Sequence, residues 1–66
     1  MKQMNNRIRE LRRRSGISQE KLATALNLTQ ASISLYETSG NIPTDMLVAI
    51  AEYFRVSVDY LLCRTD

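Results

Sequence analysis

Few side chains in this 66-residue sequence are equipped for chemistry, and most are amides, hydroxyls and guanidiniums. Gln30 carries a donor and an acceptor side by side. That pattern pairs with N6 and N7 of adenine and is worth ~1–3 kcal/mol of discrimination against other bases. The competing setting is an ordinary exposed helix glutamine. Ser32 and Ser34 can donate to phosphate or to base edges, although a helical serine also bonds its own backbone. Ala31 and Leu35 are suited to thymine methyl groups, or simply to solvent and to covering a core. Thr29 suits a helix cap, and an N-cap on a helix aimed at a polyanion can serve both ends.

The same inventory excludes other chemistries. Histidine is absent and Cys63 is the only cysteine, so the sequence offers no zinc-ligand set, no Cys/His or Ser/His pair and no internal disulfide. No motif gathers Glu10, Glu20 or Asp45 into an acid/base pair. We therefore expect no enzyme, no metal, no cofactor and no small-molecule effector site. Cys63 is expected to be an inert or partly exposed thiol. No apolar run approaches the ~20 residues of a membrane span, and the Met1–Lys2–Gln3 start does not read as a signal peptide. A soluble cytoplasmic domain is the expectation. At 44% hydrophobic and 24% charged residues the composition is globular, and the length suits one domain over residues 1–66.

Net charge is only +2, but it is lopsided. Residues 1–21 hold Lys2, Arg7, Arg9, Arg12, Arg13, Arg14 and Lys21 against Glu10 and Glu20, a balance of +5. Residues 22–66 hold Arg55 and Arg64 against Glu37, Asp45, Glu52, Asp59 and Asp66, a balance of −3. One face turned to a polyanion accounts for this, as does a solvated helix surface.

Five short helices must position these groups. Breakers fall at Ser15–Gly16, Asn27, Ser39–Gly40–Asn41 with Pro43, and Val56–Ser57, and between them apolar residues follow helical spacing. The first helix is predicted near residues 3–14, with Met4, Ile8 and Leu11 inward and Gly16 as a left-handed cap. Ser18 caps the second, which turns Leu22, Ala23 and Leu26 inward and stops at Asn27. Thr29 caps the third, with Ile33 and Tyr36 inward. Pro43–Thr44–Asp45 opens the fourth, whose stripe is Leu47, Ile50, Ala51 and Phe54. Ser57 caps a last turn bearing Val58, Leu61 and Leu62. No strand is expected.

From Gln19 to Tyr36 the pattern is that of two helices crossing steeply over a small residue. Ala23 supplies the close contact against Ile33, and Leu22, Leu26 and Leu28 close the corner from the core side. Such a crossing lifts the outer face of the third helix, carrying Gln30, Ala31, Ser34 and Leu35, toward a major groove.

Here the sequence resembles the lambda-repressor-like, or Xre/Cro-type, helix-turn-helix proteins. The resemblance runs from about Asn6 to Leu62. It rests on Ile8-Arg9-Glu10-Leu11-Arg12, Ser18-Gln19-Glu20-Lys21-Leu22-Ala23, Thr29-Gln30-Ala31-Ser32-Ile33-Ser34-Leu35-Tyr36-Glu37 and Val56-Ser57-Val58-Asp59-Tyr60-Leu61-Leu62, in order and at the right separations. It implies an all-α, compact five-helix domain, with the helix-turn-helix at about 18–37, that binds double-stranded operator DNA as a two-fold dimer. Gln19 is then expected to touch phosphate and brace Gln30, while Gln30, Ala31, Ser34 and Leu35 read bases. An ion pair between Arg12 and Glu37 is also implied. Arg12 falls near the inward stripe, where a lone cation is expensive, so its expected role is structural.

Three departures from the family pattern stand out. Asn27 takes the place of a turn glycine. The Thr38–Pro43 loop lacks the usual basic residue and is about one residue short. Cys63 stands where glycine is common. Phosphate contacts are expected from Gln19, Thr29, Ser32, Arg9, Arg13, Arg14 and Lys21, the three arginines being loose surface charges. Tyr36 is expected at the core edge with its hydroxyl exposed. Tyr53, Val58, Tyr60 and Leu61 offer either closure of a small core or a homodimer contact within about 53–66. The leading expectation is a sequence-specific transcriptional regulator, a bacterial or phage repressor on a palindromic operator. The rival is a protein-interaction or antitoxin-like adaptor of the same fold without operator specificity.

Overall fold

Helix termini dominate so short a chain, and their chemistry sets the layout. A computed structural model describes residues 6–65, so Lys2, Met4 and Asp66 lie outside the described residues. Helix α1 spans Ile8–Arg14, α2 Gln19–Ala25, α3 Gln30–Ser39, α4 Thr44–Phe54 and α5 Val58–Leu61. There is no strand among the described residues.

Three starts are capped by hydroxyls. The Ser18, Thr29 and Ser57 side chains accept the backbone N–H of Lys21, Ser32 and Tyr60, satisfying donors that have no partner inside the helix. The first helix is shorter within the described residues than the predicted 3–14. Asn6 and Arg7 stand outside it, and the Asn6 Oδ1 accepts the Ile8 N–H at 3.0 Å.

Four helices end in the same left-handed closure. Ile17, Leu28, Val56 and Arg64 each donate to the carbonyl five residues back, those of Arg12, Ala23, Ala51 and Asp59, at 2.7–3.1 Å. The residue before each donor has positive φ: Gly16 72°, Asn27 63°, Arg55 59° and Cys63 62°. This is the Schellman arrangement. Gly16 and Asn27 fit the sequence expectation, whereas Arg55 and Cys63 adopt a conformation that side chains normally resist. Ile17, Leu28 and Val56 then fold back against the core.

The core is one cluster. Ile8 and Leu11 of α1, Leu22 and Ala23 of α2, Ile33 and Tyr36 of α3, Ile50 and Ala51 of α4 and Leu61 of α5 are all buried. Ala23 of α2 and Ile33 of α3 are both buried in it, and these two helices pack against each other. α3 runs two residues past the expected boundary at 37. The Thr38 and Ser39 hydroxyls bond back to the carbonyls of Ser34 and Leu35, and Gly40 closes the helix at φ 73°.

One sequence expectation changes here. Leu61 has no exposed surface, so it belongs to the core and cannot form a dimer contact. Tyr53 does stay 41% exposed, while Val58 and Tyr60 pack partly against the core. Tyr60 is also engaged, with the Arg7 guanidinium 4.3 Å over its ring.

Candidate nucleic-acid interface

The outer face of α3 presents the residues expected to read bases. Gln30, Ala31 and Leu35 are exposed and Ser34 is half-buried. Leu35 has 57% of its surface open, so it covers little core. Thr29 spends its hydroxyl on the cap, accepting the Ser32 N–H at 3.2 Å, and lies 3.1 Å from the Ser32 hydroxyl. Both oxygens nonetheless sit at the N-terminus of α3, where the helix dipole favours an anion.

Behind this face lies a polar cluster centred on Glu37. Its side chain has no exposed surface. One oxygen, Oε2, accepts the Arg12 Nε–H at 2.8 Å. The other, Oε1, accepts from Gln19 Nε2 at 3.0 Å, Arg9 Nε at 3.2 Å and an Arg12 terminal nitrogen at 3.4 Å. Arg12 also donates to the Ile17 carbonyl at 3.1 Å, so each of its three guanidinium nitrogens is used in joining α1, the turn after it and α3. Burial pushes the Glu37 carboxyl up, but the hydrogen bonds from Arg12, Gln19 and Arg9 outweigh it and hold the group below its ordinary value. Glu37 is therefore an anion at neutral pH.

The cluster reaches the surface through amides. Gln19 Oε1 accepts from Gln30 Nε2 at 3.3 Å, so the first residue of α2 stands beside the first residue of α3. The expected brace between Gln19 and Gln30 is thus present as a contact.

The basic residues divide into two sets. Arg9 departs from the expectation of a loose surface charge, because its Nε is committed to Glu37. Arg14 pairs with Glu10 one turn away on α1. Arg13 and Lys21 are exposed, and neither forms an ion pair among the described residues. No group of three or more His, Cys, Asp or Glu among the described residues could hold a metal ion.

Two important residues escape a sequence reading. Asn6 is buried and spans from the start of α1 to the Tyr36 carbonyl at 3.0 Å. A side-chain oxygen just ahead of the apolar stripe was the available signal. Arg7 donates to the carbonyls of Tyr60 and Thr65 at 2.8 and 3.0 Å, and nothing in the sequence marks that long-range partnership.

Comparison with known proteins agrees with the helical fold. The sequence model of the family described as Helix-turn-helix matches residues 8–61, and the chain belongs to that family. Among curated proteins it is similar to two from Bacillus subtilis (strain 168). It is 39% identical over 61 residues to the uncharacterized HTH-type transcriptional regulator YobD, covering 91% of this chain and 54% of that protein. It is 35% identical over 64 residues to the HTH-type transcriptional regulator ImmR, covering 96% of this chain and 50% of that protein. The chain thus spans about half the length of the curated relatives it matches. No solved structure matches it significantly. No helix among the described residues is long and apolar enough to cross a membrane.

Proposed function

We propose that residues 1–66 form a single DNA-binding domain of a cytoplasmic, prokaryotic transcriptional regulator that recognises its operator by sequence. The observation that carries this reading is Gln30, exposed at the leading end of α3 and braced by Gln19. Ala31, Ser34 and Leu35 extend the same reading face. Thr29, Ser32 and Gln19 supply phosphate contacts at the helix start, with Arg13 and Lys21 as the principal free cations and Arg9 and Arg14 contributing through donors not used internally. The names of the two relatives, both transcriptional regulators, support the reading.

We take the active species to be a homodimer on a palindromic site. The domain measures 27 × 26 × 24 Å, less than the ~34 Å between successive major grooves on one side of DNA. One copy therefore addresses one half-site, and two-fold pairing through Tyr53, Val58 and Tyr60 supplies the second. Repression follows from occupancy, because a covered promoter excludes polymerase. No cofactor is required for any of this.

Selection of bound duplexes from a random library tests the reading. The expected outcome is a palindromic consensus, with affinity that falls steeply with salt as phosphate-bound counterions are displaced. Gln30→Ala should weaken binding to the consensus and leave nonspecific binding nearly intact. Equal losses on both DNAs would remove Gln30 from the reading face. A second reading, an adaptor without operator specificity, draws on the scarcity of free cations and the absence of any basic residue in the 38–43 loop. It predicts that no sequence is enriched.

A further inference from the structure

We propose that Glu37 is a positioning residue for base reading: its carboxylate fixes, through the Gln19 amide, which end of the Gln30 amide faces outward. This rests on the DNA-reading function proposed above, and it adds a specificity role to a group otherwise explained as half of an ion pair.

The argument is one of donors and acceptors. A carboxylate only accepts hydrogen bonds, whereas a glutamine amide has a donating end and an accepting end. Glu37 Oε1 stands 3.0 Å from the Gln19 amide. If that amide were reversed, two acceptor oxygens would face one another with no proton between them. Gln19 must therefore turn its nitrogen toward Glu37 and its oxygen toward Gln30. At 3.3 Å the same logic applies again, and Gln30 must offer its nitrogen to Gln19. One N–H of Gln30 is then spent inward. Its second N–H and its Oε1 remain for a partner outside.

That outward pair is one donor and one acceptor in a fixed order. It matches adenine, which presents N7 as acceptor and N6 as donor, and it mismatches guanine, whose N7 and O6 both accept. Without the relay Gln30 could still rotate into either orientation, but each encounter would require selecting the right one. Glu37 is suited to the task because it cannot turn away. Its side chain is fully enclosed, and four N–H groups from Arg9, Arg12 and Gln19 occupy its two oxygens. The two guanidiniums keep the acceptor in place, and Gln19 carries its polarity to the surface.

Two variants and two measurements test this. Glu37→Met keeps the length of the side chain but removes both acceptor oxygens, so nothing fixes the Gln19 amide from behind. Gln19→Met cuts the relay while leaving every Arg–Glu37 contact in place. In the free protein, side-chain amide NMR of wild type should give an ordered Gln30 NH2 group, and both variants should release it to free-amide mobility. In random-library selection, both should lose about threefold to tenfold of their adenine preference, the scale of one neutral hydrogen bond. The loss should fall at the one base pair that Gln30→Ala relaxes, with other positions unchanged. A Gln30 amide as ordered in the variants as in wild type overturns the proposal, as does relaxation spread evenly over all positions. Should Glu37→Met fail to fold, Gln19→Met decides by the same two readouts. If wild type enriches no sequence, the operator-binding function fails, and the NMR comparison still decides whether Glu37 orders Gln30.

Discussion

Asn6 Nδ2 donates to the Tyr36 carbonyl at 3.0 Å, tying the segment ahead of α1 to the last turns of α3. The same side chain accepts the Ile8 N–H through Oδ1, so both ends of the amide are used, and the residue is buried. The Tyr36 carbonyl has a second partner in the Gly40 N–H, whereas the Ile8 N–H has none inside its helix.

Asn6→Ala therefore orphans chiefly the Ile8 N–H. We expect a loss of about 1–3 kcal/mol, the cost of a buried polar group left unmade. For a domain of this size that lowers Tm by roughly 4–8 °C per kcal/mol. Thermal unfolding followed by circular dichroism measures it. A change within about 1 °C would mean that water replaces Asn6 at no cost.

Leu61 separates a core role from an interface role. It is completely buried with Ile8, Leu22, Ile33 and Ile50. Leu61→Ala should cost about 2–5 kcal/mol by leaving a cavity. The loss should be the same at low and high protein concentration. A loss that grows on dilution would place Leu61 between subunits instead.

Glu37 gives the domain an acid-sensitive stability. Its pKa is lowered in the folded state, so its contribution is fully present above the unfolded-state value of ~4.3 and is lost as pH falls through the folded value. Urea midpoints should be flat in this respect near neutrality and decline below about pH 4. Glu37→Ala should cost about 3–5 kcal/mol at pH 7, since Arg12 is left enclosed without its anion. The variant's stability should also respond less to acid than wild type. An acid profile unchanged by the substitution would assign the decline to other carboxylates.

The legibility of this molecule follows the range of the interactions. Hydroxyl caps at Ser18, Thr29 and Ser57 act over three residues, and apolar stripes over four, so element order and most of the core can be read from spacing. The small residue at position 23 and the Gln19 and Gln30 positions are legible for the same reason, helped by the family resemblance. What is not legible is pairing between distant segments. Arg9 and Arg12 lie one turn apart on α1 and both meet Glu37, yet no local rule says that Arg9 joins them rather than facing solvent. Leu61 looks like one of several apolar residues at an acidic end, and only the closed core shows which is innermost. Arg55 and Cys63 hide their left-handed backbones because the usual glycine is absent.

Arg55 offers the most direct route to a more stable domain. It closes α4 at φ 59° and ψ 45°, a region that costs a residue with a Cβ roughly 1–2 kcal/mol. Its side chain is exposed and forms no ion pair among the described residues, so replacement removes little. Glycine relieves the strain but adds freedom to the unfolded chain, which takes back part of the gain. We expect Arg55→Gly to stabilise by about 0.5–1 kcal/mol and to raise Tm by roughly 2–8 °C. Arg55→Val should move the other way, because a β-branched side chain fits that backbone least. Because no hydrogen bond or ion pair among the described residues joins Arg55 to α3, operator affinity measured well below either Tm should stay unchanged in both variants. A destabilised glycine variant would mean that the arginine stem packs usefully over the end of α4.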